Sequence, residues 1–222
     1  MLTVPATDAL RMAFESRDTG QMLAAVTSLS DEFVSVAANQ TLRISEVDIW
    51  IGRDRSLAAH SFRVAIYATL LARDLGIQDD RALKSLAAAA MLHDVGKLRL
   101  PARVLNKTKA LSDIEQRLMS QHPQYGFERL CAREDVSFEQ LMVVYQHHEQ
   151  PDGRGYPVGS SSHEIHDWAK ITAVANAFDG LLTRSTDETI AASAAACTQI
   201  NALAGTVLDQ EMVRCWTHAW SA

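Results

Sequence analysis

The sequence predicts an all-α domain, on three observations. Strand-like alternation of Val, Ile and Thr is almost absent. Apolar residues recur instead at three- and four-residue spacing, the period of a helix with one buried face. Two capping boxes, Ser112-Asp-Ile-Glu115 and Ser137-Phe-Glu-Gln140, mark helix starts, because in each the two side chains satisfy each other's orphan backbone N–H.

The elements follow in chain order. Residues 8–38 read as one or two helices, with Asp18-Thr-Gly20 as the break. Residues 45–53, around Ile49-Trp-Ile-Gly52, read as a short helix or turn. Val64, Tyr67, Ala68, Leu71 and Leu75 form an apolar stripe on a helix from Ser56 to Leu75, and Gly76 suits its stop. Asp79 or Asp80 caps a helix to Leu92. Residues 95–110, with Gly96 and Pro101, read as a long loop. The first capping box opens a helix to Cys131, the second one to His148. Residues 149–165, rich in Gly, Pro, Ser and Asp, read as another long loop. Helices over Trp168–Thr183, Asp187–Ala204 and from Asp209 complete the chain. Long loops inside a compact helical domain are commonly functional, and both of these begin beside histidines.

Composition narrows the function. With 222 residues, 47% of them hydrophobic, the chain can bury one sizeable core. A formal net charge of -6 argues against a protein that coats DNA or RNA. The cysteines, Cys131, Cys197 and Cys215, are odd in number and widely spaced. That supplies neither a disulfide framework nor a zinc knuckle and suits a reducing compartment. The N-terminus lacks the basic and apolar regions of a signal peptide. The longest apolar run, Leu86–Leu92, is far short of the ~20 residues of a membrane span. We therefore expect a cytoplasmic protein.

The chemistry concentrates in His60, His93, Asp94, His122, His147 and His148. Imidazole and carboxylate suit Fe, Mn, Zn or Ni. Adjacent residues on a helix point apart, so the pairs His93-Asp94 and His147-His148 serve two ions more easily than one. An aspartate can bridge two ions with its two oxygens, about 3.5–4 Å apart in two-metal sites that clamp a phosphodiester. Histidine pairs also arise by chance on surfaces or in satisfied cores. The loop beyond Asp94 favours the metal reading: Lys97, Arg99, Arg103, Lys107 and Lys109 occur there with no acid among them. In an acidic protein that run is either a solvated face or the seat of an anionic ligand. His163, His166 and His218 read as surface residues, and no metalloprotease or nucleophile-elbow motif is present.

These residues stand in strings that resemble the HD-GYP family. The strings are His60-Ser-Phe-Arg-Val64, Leu92-His-Asp-Val-Gly-Lys97, Leu105-Asn-Lys107, His122-Pro, His147-His-Glu149, Gly155-Tyr-Pro157 and Val174-Ala-Asn-Ala-Phe-Asp179. The resemblance spans residues 60–183. It implies an HD-type helical bundle with a metal site at its centre, residues 56–222, carrying residues 1–55 as a helical extension packed on the bundle or used in a homodimer.

The resemblance also implies a cyclic di-GMP phosphodiesterase in which a hydroxide bridging two divalent ions, Fe or Mn, attacks phosphorus. The implied metal ligands are His60, His93, Asp94, His122, His147 and His148. Asp94 and Lys97 are the implied catalytic residues, with Lys97, Arg99, Lys107 and Arg184 on the substrate. Gly155-Tyr156-Pro157 is the implied contact for GGDEF-domain proteins. The chain departs from the family at Asn176, where the family has a ligand aspartate, so the second ion should bind more weakly. It also departs at Ser56, which argues against a third ion, at Lys170 in place of arginine, and after Phe178, where an Arg-Pro-Tyr-Arg stretch is missing. A non-catalytic receptor or adaptor, and a hydrolase for another nucleotide phosphate, are the rival readings.

Overall fold

The computed structural model describes residues 3–37, 54–107, 109–184 and 190–220. Among them are helices, turns and two isolated β-bridges, with no strand. The expected turn at 45–53 lies outside the described residues.

Helix α3, Leu57–Asp74, is the axis of the molecule. Every residue from Ser61 to Ala72 is buried, and a helix apolar all round can only be stable inside others. It packs against α4 (Asp80–Leu92), α9 (Asp167–Arg184), α1 (Thr3–Glu15) and α11 (Gln210–Trp220). Ala87, Ala88, Ala89 and Ala90 wrap most of the circumference of α4 and are all buried, so small side chains let its backbone lie close to neighbours on several sides. Helices α2 (Thr19–Ala37) and α8 (Phe138–Gln146) also pack on α4. One continuous core runs from Ala6 and Leu10 in α1 to Trp216 in α11. Tyr67, Phe178 and Trp216 meet edge-to-face within it, the geometry aromatic quadrupoles prefer.

Three segments differ from the sequence reading. Residues 95–110 are not a plain loop: they hold a 3₁₀ helix, Val95–Arg99, and the short helix α5, Ala102–Leu105. Val95, Gly96 and Val104 are buried, and a buried backbone must pair its own polar groups. The expected helix to Cys131 is two helices, α6 (Asp113–Met119) and α7 (His122–Leu130). Pro123 has no N–H for the Met119 carbonyl and its ring crowds that position, so a single helix cannot run through. Within 149–165, Ser161 and Glu164 close a one-turn 3₁₀ helix by a third capping box. The helix expected from Asp187 is described as α10, Ile190–Ala202, and residues 185–189 lie outside the description.

The two capping boxes of the sequence are formed, on α6 and α8. Asp79, rather than Asp80, caps α4. Gly76 takes φ +91° after α3, a left-handed conformation that favours glycine.

Gly96 lets the 3₁₀ helix touch α7. A Cβ there would lie 1.9 Å from the His122 carbonyl oxygen and 2.5 Å from Gly126 N, both backbone atoms that cannot swing away. Gly180, inside α9, has nothing within 4 Å of its would-be Cβ. We expect Gly96→Ala to lower stability by about 3 kcal/mol through overpacking. We expect Gly180→Ala to raise it by roughly 0.5–1 kcal/mol through chain entropy. Urea midpoints of the two variants check both signs.

Candidate metal centre

The six residues singled out by type converge because four helix termini meet. His93 ends α4 and Asp94 follows it. His122 opens α7, and His147 ends α8 with His148 next. His60 lies in the first turn of α3.

Helix ends leave carbonyls without intrahelical partners, and these orient the rings. His93 Nδ1 lies 2.7 Å from Ala90 O, and His147 Nδ1 lies 3.1 Å from Val144 O and equally from Val143 O, which also accepts the His147 N–H. His122 Nδ1 lies 2.8 Å from Met119 O, the carbonyl that Pro123 leaves free. A carbonyl only accepts, so each of these Nδ1 atoms carries the ring proton. His60 Nδ1 lies 2.6 Å from Asp179 Oδ2, a carboxylate that fixes the same tautomer.

The Nε2 lone pairs therefore all face inward. Asp94 Oδ2 is 3.4 Å from His60 Nε2 and 3.3 Å from His93 Nε2. Asp94 Oδ1 is 3.0 Å from His122 Nε2 and 3.7 Å from His147 Nε2. His122 Nε2 and His147 Nε2 are themselves 3.1 Å apart. With every ring proton on Nδ1, none of these contacts is a hydrogen bond. His93 Nε2 and Asp94 Oδ1 are buried atoms without a hydrogen-bond partner. Lone pairs aimed at a carboxylate repel unless a cation lies between them, so the residues fit a metal.

Two ligand sets share Asp94: Asp94, His122, His147 and His148 on one side, and His60, His93 and Asp94 on the other. Each set brings its ligand atoms within 4.8 Å of one another.

Electrostatics agree with this arrangement. Burial pushes His93, His122 and His148 below the ordinary imidazole value and His147 down to about 4. They are neutral at neutral pH, the form that binds metals. Burial would raise Asp94, yet the surrounding His93 imidazole and the Lys97 ammonium hold its carboxyl well below the usual range. Burial also lowers His60, but the Asp179 carboxylate on its Nδ1 and the nearby negative charge of Asp94 prevail and raise it.

The centre opens into a cavity of about 690 Å³ whose wall includes His60, Lys97, His147, His148, Asn176 and Arg184. Lys97 Nζ is ion-paired with Asp94 Oδ2 and stands between the centre and the cavity. Two cations of the expected substrate set are placed otherwise. Arg99 faces a different groove, where it bonds Glu128 at 2.7 Å and lies over the Tyr125 ring, so its charge is already spent. Lys107 is paired with Glu115 at 2.5 Å.

Tyr156 is folded inward and stacks on His148 with ring centroids 4.7 Å apart. Burial pushes its phenol pKa up. His163 and His218 are exposed, as expected. His166 is instead half-buried, with Nδ1 accepting from the Trp168 N–H at 3.2 Å.

Two supporting groups escaped the sequence reading. Glu149 is buried, and its carboxylate accepts from the backbone N–H groups of Val158, Gly159 and Ser160. It thereby shapes the turn that carries Tyr156. Asp179 binds His60 and Arg63. Both acids stand in the quoted strings, but only three-dimensional placement separates an orienting carboxylate from a surface one.

An all-helical bundle with a histidine–aspartate centre at its helix ends defines an HD-type fold. The family model described as "HD domain" matches residues 44–212, and the chain belongs to that family. The HD-GYP resemblance of its motifs stands within it. The chain is 37% identical over 133 residues to the cyclic di-GMP phosphodiesterase response regulator RpfG of Xanthomonas campestris, covering 59% of this chain and 35% of that protein. It is 37% identical over 134 residues to the 3'3'-cGAMP-specific phosphodiesterase 2 of Vibrio cholerae, covering 58% of this chain and 25% of that one. The chain thus spans about a third or less of the length of these curated relatives. Among solved structures, Bd1817, an HDG"Y"P protein from Bdellovibrio bacteriovorus, superposes with a TM-score of 0.81 at 19% identity, covering 98% of this chain and 70% of that one. That likeness concerns the fold. Among the described residues no helix is long and apolar enough to cross a membrane.

The buried neutral imidazoles make stability pH-dependent. In metal-free protein, the unfolded chain protonates His147 near 6.5, while the folded chain resists until about 4. The unfolded state binds more protons in that window, so stability falls as pH drops through it. His93, His122 and His148 act in the same direction, and His60 opposes them. Urea unfolding of chelator-treated protein should show a clear loss from about pH 7 to about pH 5. A flat profile would contradict the buried neutral state.

Proposed function

We propose that the chain is a metal-dependent phosphodiesterase acting on cyclic dinucleotides, cyclic di-GMP first. The supporting observation is the set of inward-facing lone pairs around Asp94, opening into a cavity with Lys97 on its wall. Two divalent ions, Fe or Mn, suit the two ligand sets that share Asp94. When bound, such ions polarise a phosphoryl oxygen and acidify a water.

The chain's own groups do the rest. Asp94 presents one oxygen to each ligand set. Lys97 donates a hydrogen bond to the scissile phosphate and a proton toward the departing ribose oxygen as the P–O bond breaks. Arg184, on the same cavity wall, neutralises the second phosphate. The cavity volume lies within the range of small-ligand sites.

Part of the cavity lining is apolar: Ala173, Ala177, Leu181, Leu203, Val207 and Leu208. Those side chains offer no hydrogen bonds to tell guanine from adenine. The relatives named for cyclic di-GMP and for 3'3'-cGAMP are consistent with such a lining. A GGDEF-domain protein is proposed as the partner at the Gly155-Tyr156-Pro157 turn. With Tyr156 on His148, the side chains offered to that partner are Arg154 and Val158, the latter 65% exposed.

The test is turnover of both dinucleotides by manganese- or iron-loaded protein. We expect linear product, loss of turnover with chelator, and a roughly 1000-fold fall in Asp94→Asn, the equivalent of several kcal/mol of transition-state stabilisation. Lys97→Ala should lose about 100-fold. The ratio between the two substrates should stay within about 200-fold, the reach of apolar discrimination. Metal-loaded protein that hydrolyses neither dinucleotide overturns the proposal.

A further inference from the structure

His60 differs from the other oriented ligands in how it is held. His93, His122 and His147 give their ring protons to free carbonyls at helix ends, those of Ala90, Met119 and Val144. His60 stands in the first turn of α3, where the carbonyls are taken up by the helix that follows. Its acceptor comes from another element: Asp179 of α9, with Oδ2 2.6 Å from His60 Nδ1.

Asp179 is itself held. Arg63 reaches it with a forked pair, Nε to Oδ1 at 2.5 Å and Nη2 to Oδ2 at 3.2 Å. Arg63 Nη1 donates to the Asp54 carbonyl at 2.9 Å. Asp179 is 0% exposed and Arg63 1%. A buried ion pair is no better for stability than a well-packed apolar pair, so its presence beside a ligand calls for a role other than packing.

We propose that Asp179, locked by Arg63, is a positioning residue for one of the two ions only, the one served by His60, His93 and Asp94. It touches His60 and no member of the other ligand set. A carboxylate is a stronger acceptor than a carbonyl, so it fixes the ring and makes Nε2 a better donor to a metal. This rests on the two-ion reading above. Loss of Asp179 would therefore weaken one ion and spare the other.

Manganese titration of the full chain, read by calorimetry and by electron paramagnetic resonance, tests this. Wild type should take up two ions and show an exchange-coupled signal. Asp179→Asn should keep one ion at wild-type affinity and bind the second about 10- to 100-fold more weakly, so that the six-line signal of an isolated ion replaces the coupled one. His60→Ala should give the same pattern. If Asp179→Asn fails to fold, the double variant Arg63→Gln/Asp179→Asn removes the uncompensated charge and is titrated instead. Two ions bound at wild-type affinity, or both weakened equally in a protein of unchanged circular dichroism, overturn the positioning role. Wild type that takes up no manganese overturns the metal reading itself, together with everything built on it.

Discussion

Five imidazoles are gathered around one buried carboxylate, and at least four of them have spent their only proton elsewhere. That arrangement is repulsive on its own, since lone pairs face a negative charge at 3.0 to 3.4 Å. The rest of the structure is organised to hold it. Helices stop where their free carbonyls can take a ring proton. Pro123 breaks a helix so that Met119 O can do so. Gly96 brings the 3₁₀ helix after Asp94 against the backbone of His122. The candidate metal centre and the helix boundaries are thus one design, because the same backbone groups define both.

Packing provides the rigidity that this repulsion demands. The alanine run of α4 and the buried middle of α3 bring His93 and His60 to 5.2 Å between ring centroids. Neither helix can rotate without moving a continuous core that extends from Leu10 to Trp216. A side chain in such a core sits in one rotamer, which is how ligand atoms are kept at fixed separation before a ligand arrives. The turn carrying Tyr156 is also held by one carboxylate, Glu149, which takes three successive N–H groups.

The sequence carried the helical class and the histidine–aspartate cluster because both are written in residue type and spacing. The 3.6-residue period, the capping boxes and the paired histidines are local signals. Orientation is not local. Arg99 and Lys97 are two residues apart in one basic run, yet one faces Glu128 and Tyr125 while the other faces the centre. The 3₁₀ helix that turns them apart exists because Val95 and Gly96 are buried, a tertiary fact. Asp179 was invisible as an orienting group for the same reason, since its partners His60 and Arg63 lie more than 100 positions away. Tyr156 stood in the sequence only as part of an implied partner-contact loop, and its stacking on His148 depends on the fold that brings the loop back over that ring.

The site is also where the molecule departs from the rules that stabilise the remainder. Elsewhere the core is Ala, Leu, Val and aromatic rings. Here Arg63, Asp94 and Asp179 are buried as charges, with Lys97 pinned beside them. Each removal from water costs several kcal/mol, and an ion pair returns that only with full hydrogen bonding. Arg63 and Asp179 meet the condition: besides their forked contact, Arg63 donates to the Asp54 carbonyl and Asp179 accepts from His60 Nδ1. Asp94 does not: Lys97 satisfies one oxygen while the other faces only lone pairs. A carboxylate left short of positive partners, beside one that is fully matched, places the electrostatic deficit at the point shared by both ligand sets. A cation bound there would remove the deficit, so the fold's least satisfied group and the proposed seat of its chemistry are the same atoms.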